Sequence, residues 1–301
     1  MSTQAELRVA ELIRGAYDLH VHSAPDVLPR KVDDVEMALR AAGCGMAGFA
    51  VKSHFFCTAQ RAEIVSNLNP ECRVIGSLCL NHAVGGINPV AVEMAARAGA
   101  RIIWFPTCDA QWERSYAERD PSKKAFWASI VEDLAREGVE MPGISLLDGQ
   151  GKLRQCVQDT LDVIKCRDLV LCTGHISHAE TFTLVREAKN RGIKRIVITH
   201  VTFPSTFYTV EEQQKLLAMG AMFEQCYSTY ATGKVDRAVM FDQIRRIGPE
   251  HYVLGTDLGQ TTRVYPEEGM KQFILDLEEG GFNEQEIRTM ACRNSEALIR
   301  V

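Results

Sequence analysis

Apolar, β-branched runs alternate along the chain with segments of helical period, the pattern of parallel strands joined by helical crossovers. Eight runs fit: Ala16 to His22 (AYDLHVH), Met46 to His54, Arg73 to Asn81, Arg101 to Thr107, Asp168 to His175, Arg195 to His200, Ala221 to Cys226 and His251 to Asp257. Most are continuously apolar and end in a polar or ionisable residue, as strands buried on both faces do. Between them the helix signals are legible. Asn88 precedes a first-turn Pro89, Ser177 to Glu180 and Thr209 to Glu212 match the capping box, and Gly99, Gly138, Gly192, Gly220 and Gly248 stand at helix ends. Eight strand-then-helix units in 301 residues predict an α/β fold, a (β/α)8 TIM barrel with a C-terminal helix, rather than an open doubly wound sheet. Val139 to Lys165, containing GISLLDGQG, departs from the alternation and reads as a short insertion between the fourth and fifth units. The chain has no Pro/Gly/Ser-rich linker, low-complexity tract or repeat consensus, so residues 1–301 are expected to form a single domain.

In a parallel barrel all strand ends of one polarity meet at one rim. Five positions at those ends carry metal-ligand residue types: His20 and His22 on the first run, His175 on the fifth, His200 on the sixth and Asp257 on the eighth. His20 and His22 are one residue apart, and the period of two in a strand turns both imidazoles to the same side. Taken singly, each is more often a hydrogen-bonded side chain than a ligand. The joint placement points to a divalent cation, zinc first, with manganese and iron as alternatives, as one ion or two. A bound ion lowers the pKa of its water from about 15.7 toward 7, and Asp257 is placed to take the proton and deliver it to a leaving group.

The motifs DLHVH, TGH, ITH and GTD, in that order over most of the chain, resemble those of the amidohydrolase superfamily of metal-dependent barrel hydrolases. The resemblance implies that His20 and His22 are the first-strand pair, His175 and His200 the fifth- and sixth-strand ligands, and Asp257 the eighth-strand ligand and base. One departure stands out. Two-metal members usually carry a carboxylated lysine or a glutamate at the end of the fourth strand, which here reads RIIWFPT. Lys52 at the end of the second run is either a carboxylated bridge or an ammonium that anchors an anionic substrate, the second being preferred. His54 shares its side, so both or neither face the site.

His82, before the glycine-rich VGGIN, is expected as a substrate-binding residue, and Arg263 with Tyr265 as a grip on a carboxylate. His178 lies in a first helical turn and points away. Parity alone leaves Glu224 facing either the site or the barrel wall. Trp104, Phe105, Trp112 and Tyr116 are an aromatic wall or core packing, the latter commoner for the first two. Gly43 to Gly48 spells G-x-G-x-x-G, yet it follows a helix and precedes a strand, the reverse of a dinucleotide site. The sequence has neither a G-x-S-x-G elbow nor a Walker A loop.

Composition narrows the partners. With 34 Lys plus Arg against 39 Asp plus Glu, the formal charge is -5, without the basic excess that nucleic acid binding needs. The sequence lacks the roughly 18 successive apolar residues of a membrane span, and Met1 to Gly15 has no secretory apolar core. The ten cysteines are scattered without a C-x-x-C pair, which reads as reduced thiols in a cytoplasmic chain, with Cys79, Cys172 and Cys226 packing as small hydrophobes. The expectation is a metal-dependent hydrolase cleaving an amide, lactone or ester, or phosphoester bond in a small molecule, neutral or anionic, with homo-oligomerisation left open. The alternatives are a non-hydrolytic lyase such as a decarboxylase, an isomerase, or a metal-binding chain without activity.

Overall fold

The computed structural model of the chain describes residues 4–119 and 127–300; Met1 to Thr3 of the N-terminal stretch lie outside them. Eight strands form one parallel sheet in sequential order: β1 (Tyr17–Val21), β2 (Gly48–Val51), β3 (Arg73–Cys79), β4 (Ala100–Trp104), β5 (Val170–Cys172), β6 (Ile196–Ile198), β7 (Ala221–Cys226) and β8 (Tyr252–Gly255). A parallel bridge from Val21 to Leu258 closes the cylinder, helped by bonds from Asp257 N to His20 O and from His22 N to Leu258 O, both 2.8 Å. The fold is the (β/α)8 TIM barrel.

Helices follow the strands as the capping signals predict. Asn88 accepts from Val90 N and Ala91 N to open Pro89–Arg97, and both capping boxes form, at Ser177 for His178–Asn190 and at Thr209 for Val210–Leu217. The region between β4 and β5 needs correcting. The inserted chain begins directly after β4 and carries helices Gln111–Arg119 and Ala128–Arg136, whereas Gln155–Cys166, read partly as insertion, is the ordinary fourth crossover helix.

Two apolar layers hold the barrel. Outward residues such as Phe49, Val51, Ile103, Phe105 and Phe223 pack against the helices, while Tyr17, Leu19, Ala50, Ile75, Ile102, Trp104, Val170 and Val253 fill the interior. Leu298 and Ile299, from the C-terminal helix Asn294–Ile299, join the interior layer. β1 carries an extra residue: Asp18 to Val21 spans the same register as Phe49 to Val51. This bulge switches the parity of β1. Tyr17 and Leu19 pack inside the barrel but Val21 packs outside, so His20 and His22 turn inward.

Candidate metal centre

The strand ends bring His20, His22, His175, His200 and Asp257 into one neighbourhood. His20 Nε2 and His22 Nε2 lie 3.4 Å and 3.2 Å from Asp257 Oδ1, and one ligand atom from each of the three falls within 4.8 Å of the others. The ring centroids of His20 and His200 are 4.7 Å apart, and those of His175 and His200 are 5.3 Å apart. Glycine makes room for this packing: a Cβ at Gly255 would stand 2.9 Å from His20 Cβ. His200 and Asp257 both adopt left-handed backbone, with φ of 51° and 53°. Strain of this kind persists only where the surroundings impose it, and it clusters at functional sites.

Hydrogen bonds set the imidazole orientations. His20 Nδ1 donates to Glu224 Oε1 at 3.0 Å, which leaves Nε2 with its lone pair facing the cluster. Lys52 is almost wholly buried, and its Nζ donates to that nitrogen at 2.8 Å while lying 5.2 Å from the Trp104 ring. Arg30 Nη2 lies 3.4 Å from His22 Nδ1, and Arg30 is itself paired with Asp26 at 2.6 Å. Ser228 donates to Asp257 Oδ2 at 3.0 Å.

The chemistry of the donor set fits a cation. Both ring nitrogens of buried His175 and Nδ1 of buried His200 make no hydrogen bond among the described residues. Orphaned buried nitrogens are costly unless a ligand completes them. Burial and then Lys52 hold the imidazoles of His54 and His175 well below their ordinary pKa; burial and then His20 do so at His200. His22 is lowered to about 3 by burial and by Arg30. These rings are therefore neutral, the form that ligates. For Asp257 burial alone would raise the carboxyl, but His20 and the hydrogen bond from His22 outweigh it and hold the group well below its usual range.

Above the cluster lies a cleft of about 300 Å³ lined by His22, Lys52, His54, His175, His200 and Asp257, with Arg263 at its edge. Lys52 and His54 both reach it; His54 also bonds Thr107 Oγ1 at 2.8 Å. His82 does not. Its Nε2 donates to Pro142 O at 2.6 Å and its backbone N–H to Asp109 Oδ2, so the inserted chain draws it outward. Gly85 and Gly86 of the loop that follows form a left-handed turn, with φ of 86° and 71°, and neither lines the cleft. Tyr265 lies under Arg40, 3.5 Å from ring centroid to guanidinium, rather than at the cleft. His178 stacks on Tyr208 and bonds Glu212. Trp104 sits inside the barrel near His20, and Phe105 packs outside it.

The sequence reading left Glu224 open between site and barrel wall, and other residues escaped it altogether. Glu224 faces inward and bridges His20 to the backbone N–H of His200, and Cys226 Sγ lies 3.8 Å from His20 Nδ1. The parity of β7 carries that information once Phe223 is known to face the helices. Glu113, on the inserted helix, lies behind His175 at 3.7 Å, where burial pushes its carboxyl up to about 7. Lys234, Trp127 and Phe203 line the cleft from loops, and no local pattern marks them.

Residues 15–224 match a family model described as Family of unknown function (DUF6282). The chain belongs to this family. The stretch matched to DUF6282 holds the four candidate histidines and Glu224, with Asp257 downstream. No curated protein matches the sequence. Among solved structures, the barrel is similar to an amidohydrolase from Pseudomonas aeruginosa at 10% identity and TM-score 0.65, over 98% of each chain. It is also similar to a Xaa-Pro dipeptidase with methionine bound in its active site, at 16% identity and TM-score 0.56, over 95% of this chain and 75% of that one. A third is 5-carboxyvanillate decarboxylase LigW from Sphingomonas paucimobilis, at 11% identity and TM-score 0.52, over 96% and 99%. At such identities the likeness is one of fold, and at that level the resemblance to amidohydrolase-superfamily barrels holds. No helix among the described residues is long and apolar enough to cross a membrane.

Proposed function

We propose that the chain is a metal-dependent hydrolase of the amidohydrolase type, acting on an amide, ester or lactone, or phosphoester bond of a small molecule. The observation that carries this reading is the meeting of buried, neutral imidazoles, some with orphaned nitrogens, around one carboxylate at the rim. His20, His22, His175, His200 and Asp257 would hold a divalent cation, for which imidazole and carboxylate donors suit zinc, with manganese or iron as alternatives. When bound, the cation supplies Lewis acidity, polarising the scissile bond and acidifying water.

The chain's own residues do the rest. Asp257, kept anionic and oriented by Ser228, takes the proton of the attacking water and returns it to the leaving group. Glu224 holds His20 in one tautomer and ring orientation. Lys52 would yield the His20 Nε2 lone pair to the ion and keep its own charge next to the reacting centre. A lyase reading stands second, favoured by the cations Lys52 and Arg263 at the cleft, which suit an acid substrate.

The test measures bound metal after purification without chelators, then turnover on a panel of amides, lactones, esters and phosphoesters for wild type and Asp257→Asn. The expected outcome is bound divalent metal and a rate lowered by about 10²- to 10⁴-fold in the variant. Unchanged turnover in Asp257→Asn removes the proposed base, and metal content near zero overturns the reading. Product formed in oxygen-18 water, with product exchange controlled, separates hydrolysis from decarboxylation.

A further inference from the structure

We propose that the cleft selects a small acid with an aromatic or flat apolar body, whose carboxylate or phosphate is held by Lys234 and Arg263 at the mouth. The inference rests on the hydrolase reading for which end of the substrate faces the histidines. It begins from charge. Lys234 and Arg263 both line the cleft, are exposed, and form no side-chain hydrogen bond or ion pair among the described residues. Lys234 feels the carboxylates of Asp257 and Glu113 as attraction and, more weakly, Arg263 as repulsion. Arg30, by contrast, is tied to Asp26, and Lys52 is bonded to His20 deep in the barrel. Two unpaired cations converging on one opening are the complement of an oxyanion.

The distance between this charge and the histidines is one ring wide. Lys234 Nζ lies 4.2 Å from the centroid of Phe203. The same ring stands 6.1 Å from His175 at 22° and 5.5 Å from His200 at 38°. Phe203 thus forms a wall running from the cation to the candidate metal ligands. Trp127, placed against His54 with centroids 6.4 Å apart, adds a second aromatic face, and Leu28 an aliphatic one. A substrate with its anionic group about one ring's length from the bond broken meets cation, apolar wall and histidines in turn.

Binding of benzoate, phenylphosphonate and benzamide, measured by calorimetry on the protein as purified and again after chelation, tests the assignment. Benzoate or phenylphosphonate is expected to bind at least about tenfold more tightly than benzamide, the gain of one charge-assisted contact. Which of the two anions wins identifies carboxylate or phosphate as the group recognised. In the Lys234→Met/Arg263→Gln variant the preference should shrink to within about twofold, with the unfolding midpoint unchanged because both side chains are exposed. Equal binding of benzamide, no anion binding, or a preference untouched in the double variant overturns the proposal. So does a preference that vanishes with the metal, which would place the anion on the ion instead. A chain that prefers the anions yet carries no metal loses the hydrolase reading alone. One that holds metal and hydrolyses esters, but treats the three probes alike, loses only this inference.

Discussion

The two ends of the barrel obey opposite rules. At the base, Tyr17, Leu19, Ile75, Ile102, Val170 and Val253 fill the interior and are joined by Leu298 and Ile299, so apolar atoms meet apolar atoms throughout. At the rim, buried histidines crowd together, some nitrogens lack hydrogen bonds, and His200 and Asp257 take left-handed backbone. One sheet runs through both ends, so topology alone does not explain the contrast. The base shows what the chain does to stay folded. The rim shows groups whose burial raises the free energy of the chain by itself, an arrangement that makes sense when a ligand completes it.

The sharpest way to break this comparison is His175→Leu. Both nitrogens of His175 are buried without hydrogen bonds among the described residues, so an apolar side chain of similar size removes an unsatisfied pair and loses no described contact of that kind. Metal-free protein carrying the change should be as stable as wild type or more so in urea unfolding. Its metal affinity should fall by more than the about 100-fold that follows loss of a supporting partner, and hydrolysis should fall with it. A variant that unfolds more easily, or keeps its metal, would put His175 with the base as a structural residue.

Ile299→Ala is the reciprocal change. Ile299 is fully buried in the interior cluster, and truncation leaves a cavity costing about 2–5 kcal/mol. Denaturant titration should show that loss, while metal bound per folded molecule stays at the wild-type value. A drop in metal content without a drop in stability would mean that the base and the rim are coupled through the interior layer.

Most of the base and part of the rim were legible in the sequence. Buried parallel strands read as continuous apolar runs, which is why all eight were found at nearly their observed positions, and polar residues at the run ends marked the rim. The inward turn of His20 and His22 depends on a bulge between Asp18 and Val21 that period-two reasoning does not contain. His82 was misplaced for a related reason: a loop's direction depends on what packs against it, here Pro142 and Asp109 of the inserted chain. Lys234, Trp127 and Phe203 come to the cleft, and Glu113 to the back of His175, from helices and loops with no fixed period, so only the folded chain assembles them.

The last comparison lies within the rim, between groups that would touch a cation and those that hold the toucher in place. Glu224 accepts from His20 Nδ1 at 3.0 Å, and its other oxygen accepts from the backbone N–H of His200 at 3.3 Å. Glu224→Gln keeps the shape and one acceptor oxygen but removes the charge that makes His20 a stronger donor to a cation. Metal affinity, measured by competition with a chelator, should fall about 10- to 100-fold, as it does when a carboxylate behind a ligating imidazole is lost. Hydrolysis at saturating metal should recover much of its wild-type rate, because Asp257 and the remaining imidazoles are untouched. If saturating metal restores nothing, Glu224 itself meets the ion or the substrate, as its place beside His20, His200 and Cys226 in a second cluster of ligand-type atoms would permit. The rim would then hold a deeper cation position than the one formed by His20, His22 and Asp257.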